Sequence, residues 1–246
     1  IVAAARLGPS ESSLQIIRGE ILVGRVSSND VSEILYGDWI EKLSSDALLS
    51  LLEMIAGKKF ENAMVIINVL ARWIGHDKSL EGPLGEFAWK CLEVAPSVLG
   101  NEAYDCDQVA SKLAQTELER GFKLIESLLM QPEDRRSWCP IDRYVGGNDF
   151  WSVLHKSDPR KALRTVFSVA LQDPLYGFRV TWNLEELLNQ TADADILLEF
   201  ALETESHAIL IAESLTNAKD GFWPIAFGII KTFPTNQKVW NALTRG

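Results

Sequence analysis

Residues that could build a disulfide framework or a metal centre are scarce in this chain of 246 residues. Its three cysteines, Cys91, Cys106 and Cys139, are odd in number and widely spaced. They therefore offer neither a set of disulfides nor a CxxC metal knuckle. Cys91 falls on an apolar helical stripe and is predicted to be a small core residue. This cysteine usage favours a reduced, cytoplasmic protein.

Long apolar segments are also missing. No apolar run reaches the ~18 residues that a membrane span requires, so we expect no membrane partner. Residues 1–6 read IVAAAR and lack both an initiator methionine and the charged region that begins a secretory signal. The sequence is therefore interpreted as a piece of a longer intracellular protein.

Catalytic motifs are a third absence. The chain contains no GxxxxGK[ST], no GxGxxG after a strand, no GxSxG and no HExxH. His76, His155 and His207 are far apart in sequence, and no carboxylate pair has a spacing that suggests acid–base chemistry. We therefore predict no catalytic residue, no metal and no cofactor, and we do not expect this chain to be an enzyme.

Positive charge is scarce as well, since 24 Lys and Arg stand against 34 Asp and Glu and give a net charge of −10. Nucleic-acid binding draws mainly on phosphate neutralisation, so this charge argues against such a partner. Residues 135–179 contain eight basic and four acidic residues, whereas residues 180–218 contain eight acidic residues and neither Lys nor Arg. This pattern indicates either a solvated face or a polarised docking surface.

The sequence does contain a succession of short helical patterns, of which SDPRKALRTVFSVALQDP, residues 157–174, is the clearest. Asp158 can cap a helix start, and Pro159 suits the first helical position. Asp173 ends the helix because a residue before proline is disfavoured in the α region. One apolar stripe is predicted to be buried: Ala162, Leu163, Val166, Phe167, Ala170 and Leu171.

Similar start and stop signals divide the chain into about a dozen helices of two to four turns. VSEILYGDWIEKL is predicted to follow a cap at Asn29 or Asp30. ALLSLLEMIA follows one at Ser45 or Asp46 and closes at Gly57, and FENAMVIINVLARWI comes next. We interpret IRGEILVGRV as helix and YGFRVTW as extended loop. The predicted fold class is therefore all-α. Short connections make neighbouring helices antiparallel hairpins.

A weak internal repeat is visible in GDWIEKLSSDALLSLLEMI and NDFWSVLHKSDPRKALRTVF, which lie about 112 residues apart. Three helical hairpins of about 37 residues would span this distance, a period typical of TPR, HEAT and armadillo repeats. Near the C-terminal end, HAILIAESL, GFWPIAFGIIKTFP and TNQKVWNAL form paired helices, with a proline near the end of the second. Residues 30–246 thereby resemble HEAT-like repeats, whereas the tetratricopeptide signature is not matched.

The HEAT-like resemblance implies antiparallel helical hairpins stacked as an α-solenoid. The chain also resembles the helical arrays of large bacterial NTPases and defence proteins, which implies a larger bacterial protein as its context. Stacked hairpins present a long concave face without needing a catalytic pocket.

QPEDRRSWCPIDRYVGGN, residues 131–148, interrupts the helical pattern with two prolines, paired glycines and three arginines. Loops of this length are either functional or divide two substructures, and both interpretations stay open. In the second, residues 1–130 form one helical-repeat subdomain and residues 149–246 form another, HEAT-like one.

The eight tryptophans fall into two groups. Trp138 and Trp182 lie outside the predicted helices or at a helix edge. The other six lie on helical stripes and are predicted to be core residues: Trp39, Trp73, Trp89, Trp151, Trp223 and Trp240.

A segment rich in arginine and aromatic residues is the predicted partner site, because such residues gain most from a desolvated contact. Five lie in the long loop, and two lie on the predicted helix within residues 157–174, which we call the Asp-Pro helix: Arg135, Arg136, Trp138, Arg143, Tyr144, Arg160 and Arg164. Alternatively, this surface contacts the acidic segment from Glu185 to Glu213 within the chain. We favour that internal contact for the arginines nearest to the acidic segment.

Three functions remain open. The leading hypothesis is a protein-interaction scaffold or sensor module whose partner is another protein or another domain of the parent chain. The alternative is a nucleic-acid-binding protein or enzyme similar to the HEAT-like alkylpurine DNA glycosylases, against which the acidic charge argues. The third is a spacer between active domains. The sequence does not define the oligomeric state.

Overall fold

A computed structural model describes most of the chain. The residues that it describes are 8–36, 38–57, 60, 62–94, 102–130, 149–172, 193–215 and 222–244. Of these residues, 81% are helical and none belongs to a strand. The predicted all-α fold class is therefore confirmed for the described part of the chain, while YGFRVTW lies outside it.

The described residues up to Leu129 contain the first group of helices. They are α1 (Glu11–Leu22), α2 (Ser28–Ile34), α3 (Asp38–Lys42), α4 (Ser45–Ala56), α5 (Ala63–Gly75), α6 (Gly82–Val94), α7 (Glu102–Ala114) and α8 (Leu118–Leu129).

The described residues from Asp149 onward contain the second group. They are α9 (Asp149–Ser157), α10 (Pro159–Gln172), α11 (Asp193–Ala201), α12 (Glu205–Leu215), α13 (Trp223–Thr232) and α14 (Gln237–Leu243).

The chain divides into two compact units. Described residues up to Gly121 belong to the first unit, and those from Phe122 onward belong to the second. The boundary between the units lies inside α8. The loop at residues 131–148, where the sequence suggested a boundary, lies outside the described residues.

Serine side chains cap the early helices. The hydroxyl oxygens of Ser10, Ser27 and Ser44 each accept a hydrogen bond from the backbone N–H three residues later, at 3.1 to 3.2 Å. Ser27 also forms a capping box with Asp30, and its hydrogen bonds lower the pKa of the Asp30 carboxyl. These caps satisfy backbone donors that the first helical turn leaves without a partner.

The predicted caps of α2 and α4 were wrong by one to three residues. Ser27 and Ser44 keep an extended backbone, whereas Asn29, Asp30, Ser45 and Asp46 are already helical. At the other end of α4 the prediction is confirmed. Gly57 closes this helix with a φ of 67°, a conformation that glycine adopts without steric strain.

Two predicted helices were too long. VSEILYGDWIEKL is divided into α2 and α3, because Leu35 leaves the helical region with a ψ of 44°. FENAMVIINVLARWI begins as a helix only at Ala63, since Phe60 has a left-handed φ of 55°. In contrast, the first part of IRGEILVGRV lies in α1, as predicted.

In both units, helices pack mainly on helices that are close in the chain. In the first unit, α5 packs on α4, α6 and α7 and also on α2 and α3, while α4 packs on α6 and α1. In the second unit, α11 packs on α10, α12 and α13, while α14 packs on α12 and α13. Fully buried side chains at these contacts include Leu51, Ile66, Trp89, Phe167 and Ile211.

The Asp-Pro helix, α10, forms largely as predicted. The carboxyl oxygen Oδ1 of Asp158 accepts a hydrogen bond from the backbone N–H of Lys161 at 2.9 Å, and Pro159 is the first helical residue. The predicted stripe is buried except at Leu171, which is half-buried, and Val169 is added to it. The helix ends at Gln172, and the second Asp-Pro pair lies outside the described residues.

Candidate functional site

The predicted partner site lies only partly within the described residues. Arg160 and Arg164 are on the solvent side of α10, where their side chains are 51% and 41% exposed. The loop residues of the site lie outside the described ranges: Arg135, Arg136, Trp138, Arg143 and Tyr144. The loop part of the site therefore stays a prediction.

Two glutamates of the acidic segment face the two arginines, Glu199 on α11 and Glu203 in the turn after α11. Arg160 forms an ion pair with Glu199, and Arg164 forms one with Glu203. The Nη2 atom of Arg164 also lies 3.9 Å from Oε1 of Glu199. Both glutamates belong to the acidic segment from Glu185 to Glu213. For Arg160 and Arg164, the described contact is thus the one within the chain.

Pairing changes the protonation equilibria of Arg160 and Glu199. The hydrogen bond with Glu199 and the charge of this carboxylate raise the pKa of the Arg160 guanidinium. In turn, the hydrogen bond from Arg160 lowers the pKa of the Glu199 carboxyl. Both groups therefore remain charged at neutral pH. Since both are open to solvent, added salt will weaken their attraction.

His207 on α12 extends this arrangement. Its Nδ1 atom lies 3.4 Å from Oε2 of Glu203, and its ring stacks on that of Phe200 with centroids 4.1 Å apart. The Phe200 ring also lies 5.5 Å from the Phe167 ring of α10. We refer to five residues as the polar cluster: Arg160, Arg164, Glu199, Glu203 and His207. This cluster connects α10, α11 and α12, so its contacts help to hold these three helices in their relative positions.

His76, His155 and the thiol of Cys91 lie at positions set by helix structure and packing. His76 follows the last turn of α5, and the His155 ring stacks on Trp151 within α9 with centroids 5.6 Å apart. Cys91 is buried in the core, as predicted, and burial raises the pKa of its thiol to about 12. This thiol is therefore protonated at neutral pH and is a poor nucleophile.

Metal-binding groups and membrane-spanning helices are both absent from the described residues. Among the described residues, no group of three or more His, Cys, Asp or Glu side chains is placed to hold a metal ion. Within the same ranges, no helix is both long enough and apolar enough to cross a membrane.

A second surface, which the sequence did not predict, lies on α13. This helix buries Ile225, Ala226 and Ile229. Trp223 and Phe227 are on its other side, 62% and 67% exposed, with ring centroids 6.4 Å apart. The prediction that Trp223 is a core residue was therefore wrong, because α13 buries a different stripe.

Trp240 was also wrongly predicted to be a core residue. Its side chain is 38% exposed, and its Nε1–H donates a hydrogen bond to the backbone oxygen of Pro234 at 2.9 Å. The other predicted core tryptophans that the structure describes are buried: Trp39, Trp73, Trp89 and Trp151. Trp138 and Trp182 lie outside the described residues.

A signal for the α13 surface was present in FWPIAFGIIKTF. Apolar residues occur there on every side of the helix, not in one stripe. A helix with apolar side chains all round must bury both sides or expose one of them. The exposed side is therefore a candidate contact surface.

In the residues that the structure describes, the protein is helical without strands, divides into two compact units, and carries a polar cluster and an exposed aromatic surface. No protein-family model matches the chain, and no curated protein or solved structure matches it.

Proposed function

We propose that this chain is a protein-interaction module without chemistry of its own, built as an α-solenoid of HEAT-like helical hairpins. The packing order of the helices is the observation that carries the proposal. In the second unit, α12 packs on α11, α13 and α14, and α13 packs on α11. Packing of helices one and two steps apart in the chain is what stacked hairpins produce, since each repeat contacts its neighbours.

Part of the first unit supports the same interpretation. There α5 packs on α4, α6 and α7, and α6 packs on α4 and α7, whereas α1 packs on α4 and α2 on α5, three steps away in the chain. A stack of this kind leaves an extended surface open, which suits the binding of another protein or of another domain of the parent chain. The proposed context is a larger bacterial protein that uses this region as a scaffold or sensor.

The long loop is the proposed partner site. Arg160 and Arg164 are already paired with Glu199 and Glu203, so their charge is largely compensated within the second unit. Arg135, Arg136 and the aromatic residues beside them are then the groups proposed to contact the partner. Arginine binds carboxylates in a bidentate manner, and its planar group stacks on aromatic rings.

Charge reversal in the loop tests this proposal. We expect Arg135→Glu combined with Arg136→Glu to abolish capture of a partner from an extract of the source organism. The captured protein is identified and purified, and its binding is then measured by calorimetry. The proposal places these two arginines in contact with solvent in the free protein, where substitutions usually change stability by less than ~0.5 kcal/mol, so the melting temperature should stay the same.

A matched control uses exposed lysines of two helices. Lys90→Glu combined with Lys123→Glu changes the net charge by the same amount, and this variant should keep the partner. A lower melting temperature of the loop variant would contradict the proposal, because it would place these arginines in a contact within the chain.

A further inference from the structure

The exposed side of α13 combines aromatic and basic residues in one line. Trp223, Phe227 and Lys231 follow one another at intervals of four residues. Residues at this spacing lie on the same face of a helix, one turn apart. All three are exposed, whereas Ile225 and Ile229 are buried. We refer to Trp223, Phe227 and Lys231 as the α13 face.

Exposure of the two aromatic rings of the α13 face to water is energetically unfavourable. Trp223 and Phe227 are more than half exposed although they are adjacent, with ring centroids 6.4 Å apart. Aromatic side chains bury some 150–250 Å² each when they are covered, and Trp is among the commonest hot-spot residues of interfaces. A partner with apolar side chains therefore gains binding free energy when it covers these rings.

The charge around the α13 face specifies the partner further. Residues 222–244 contain Lys231 and Lys238, both exposed, and contain neither Asp nor Glu. This segment is thus positive within a chain whose net charge is −10. Carboxylates are the complementary groups for such a surface. The half-exposed Trp240 is held to Pro234, two residues beyond the end of α13.

We infer that the α13 face binds an acidic peptide segment of a partner protein, with apolar side chains of this peptide against Trp223 and Phe227 and its carboxylates near Lys231. This inference rests on the proposed protein-interaction function and adds a second binding surface to it. The peptide is favoured over a second copy of this chain and over an anionic membrane, because a short peptide meets only the positive segment at residues 222–244. A second copy or a membrane would face more of this chain, whose net charge of −10 repels negative surfaces.

A labelled acidic peptide provides the test. The probe is a fluorescein-labelled synthetic peptide in which leucines recur at helical spacing among glutamates, and binding is followed by fluorescence anisotropy. We expect saturable binding at micromolar concentrations, about tenfold weaker for Trp223→Ala and for Phe227→Ala. Lys231→Glu should weaken binding severalfold, more strongly at low salt than at high salt.

Two controls separate this surface from general stickiness. Leu22→Ala removes a 78% exposed apolar side chain from α1 and should leave binding unchanged. A peptide with every glutamate replaced by lysine should not bind. Because Trp223 and Phe227 are exposed, their variants should melt at the temperature of the parent protein.

Several results would overturn the inference. These are equal binding by the Trp223→Ala and Phe227→Ala variants, equal binding of the lysine peptide, or no binding at millimolar concentration. Self-association in sedimentation, or binding to phosphatidylserine vesicles, that is lost in Trp223→Ala would assign the α13 face to a second copy or to a membrane instead. If the peptide fails while the loop variant still loses its captured partner, only this inference fails and the proposed function stands.

Discussion

Arg164 of α10 forms an ion pair with Glu203 in the turn between α11 and α12, and the same carboxylate lies 3.4 Å from Nδ1 of His207 on α12. This glutamate thereby contacts side chains of two helices. The contact explains how the second unit holds a basic helix beside an acidic segment. It also means that the uneven charge of the sequence is partly compensated within the fold.

A double-mutant cycle measures this ion pair. We expect Arg164→Ala and Glu203→Ala each to lower the free energy of unfolding by about 1 kcal/mol or less, with a coupling energy of ~0.2–1 kcal/mol. The coupling should shrink in high salt, because both side chains are partly exposed. Urea denaturation at two salt concentrations gives these values. A coupling that does not depend on salt would be inconsistent with an exposed pair.

The buried stripe of α10 should matter more than its charged side. Leu163 and Phe167 are 2% and 1% exposed, so Leu163→Ala or Phe167→Ala should destabilise the protein by ~2–5 kcal/mol. Ser168 is exposed on the same helix, and Ser168→Ala should change stability by less than ~0.5 kcal/mol. Thermal or urea unfolding compares the three variants. Equal losses at all three positions would show that α10 does not bury this stripe.

Gly85 of α6 has no room for a side chain. A Cβ atom at this position would lie 2.8 Å from the backbone oxygen of Leu80, so the backbone would have to move. We expect Gly85→Ala to destabilise the protein by ~1–3 kcal/mol, as overpacking does. Gly19 in α1 is the matched control, since a Cβ there has no neighbour within 4 Å. Gly19→Ala should stabilise by ~0.5–1 kcal/mol, because alanine favours helix over glycine. The same sign for both substitutions in urea unfolding would contradict this prediction.

Cys91 should make the protein less stable in alkaline solution. Burial raises the pKa of its thiol from the ordinary 9.0 to about 12, so the unfolded chain releases this proton first. The contribution is fully present below pH 9 and is lost as the pH rises towards 12, at about 1.4 kcal/mol per pH unit. Compared with wild type, Cys91→Ala should therefore gain relative stability as the pH rises above 9. Leu92→Ala, also buried but not titratable, should keep a constant difference.

The sequence predicted those elements whose local signals agree with their tertiary contacts. In α10, the cap at Asp158, the proline at the first position and the apolar stripe all favour one helix with one buried side. Tertiary packing had nothing to override there, and the helix forms as predicted. The all-α class follows from many such segments, because three- and four-residue periodicity recurs in most of them.

Features that depend on packing between distant segments were not predictable in the same way. Apolar residues on every side of α13 show that one of its sides can be exposed, but they do not show that Trp223 lies on the exposed side. Trp89 is covered because its helix packs on α4, α5 and α7, and its indole N–H donates to Glu117. Similarly, the charge pattern of the sequence indicated the acidic segment as a possible partner of Arg160 and Arg164. The packing of α10 on α11 and α12 places Glu199 and Glu203, among the acidic residues, beside these arginines.

The order of helix packing in the second unit also affects how this unit folds. Because α11, α12, α13 and α14 pack on helices one or two steps away, most of their contacts close short loops of chain. Proteins with such local contacts reach the native state in microseconds to milliseconds. Because α14 packs mainly on α12 and α13, whereas α11 packs on α10, α12 and α13, amide hydrogens of α14 should exchange before those of α11.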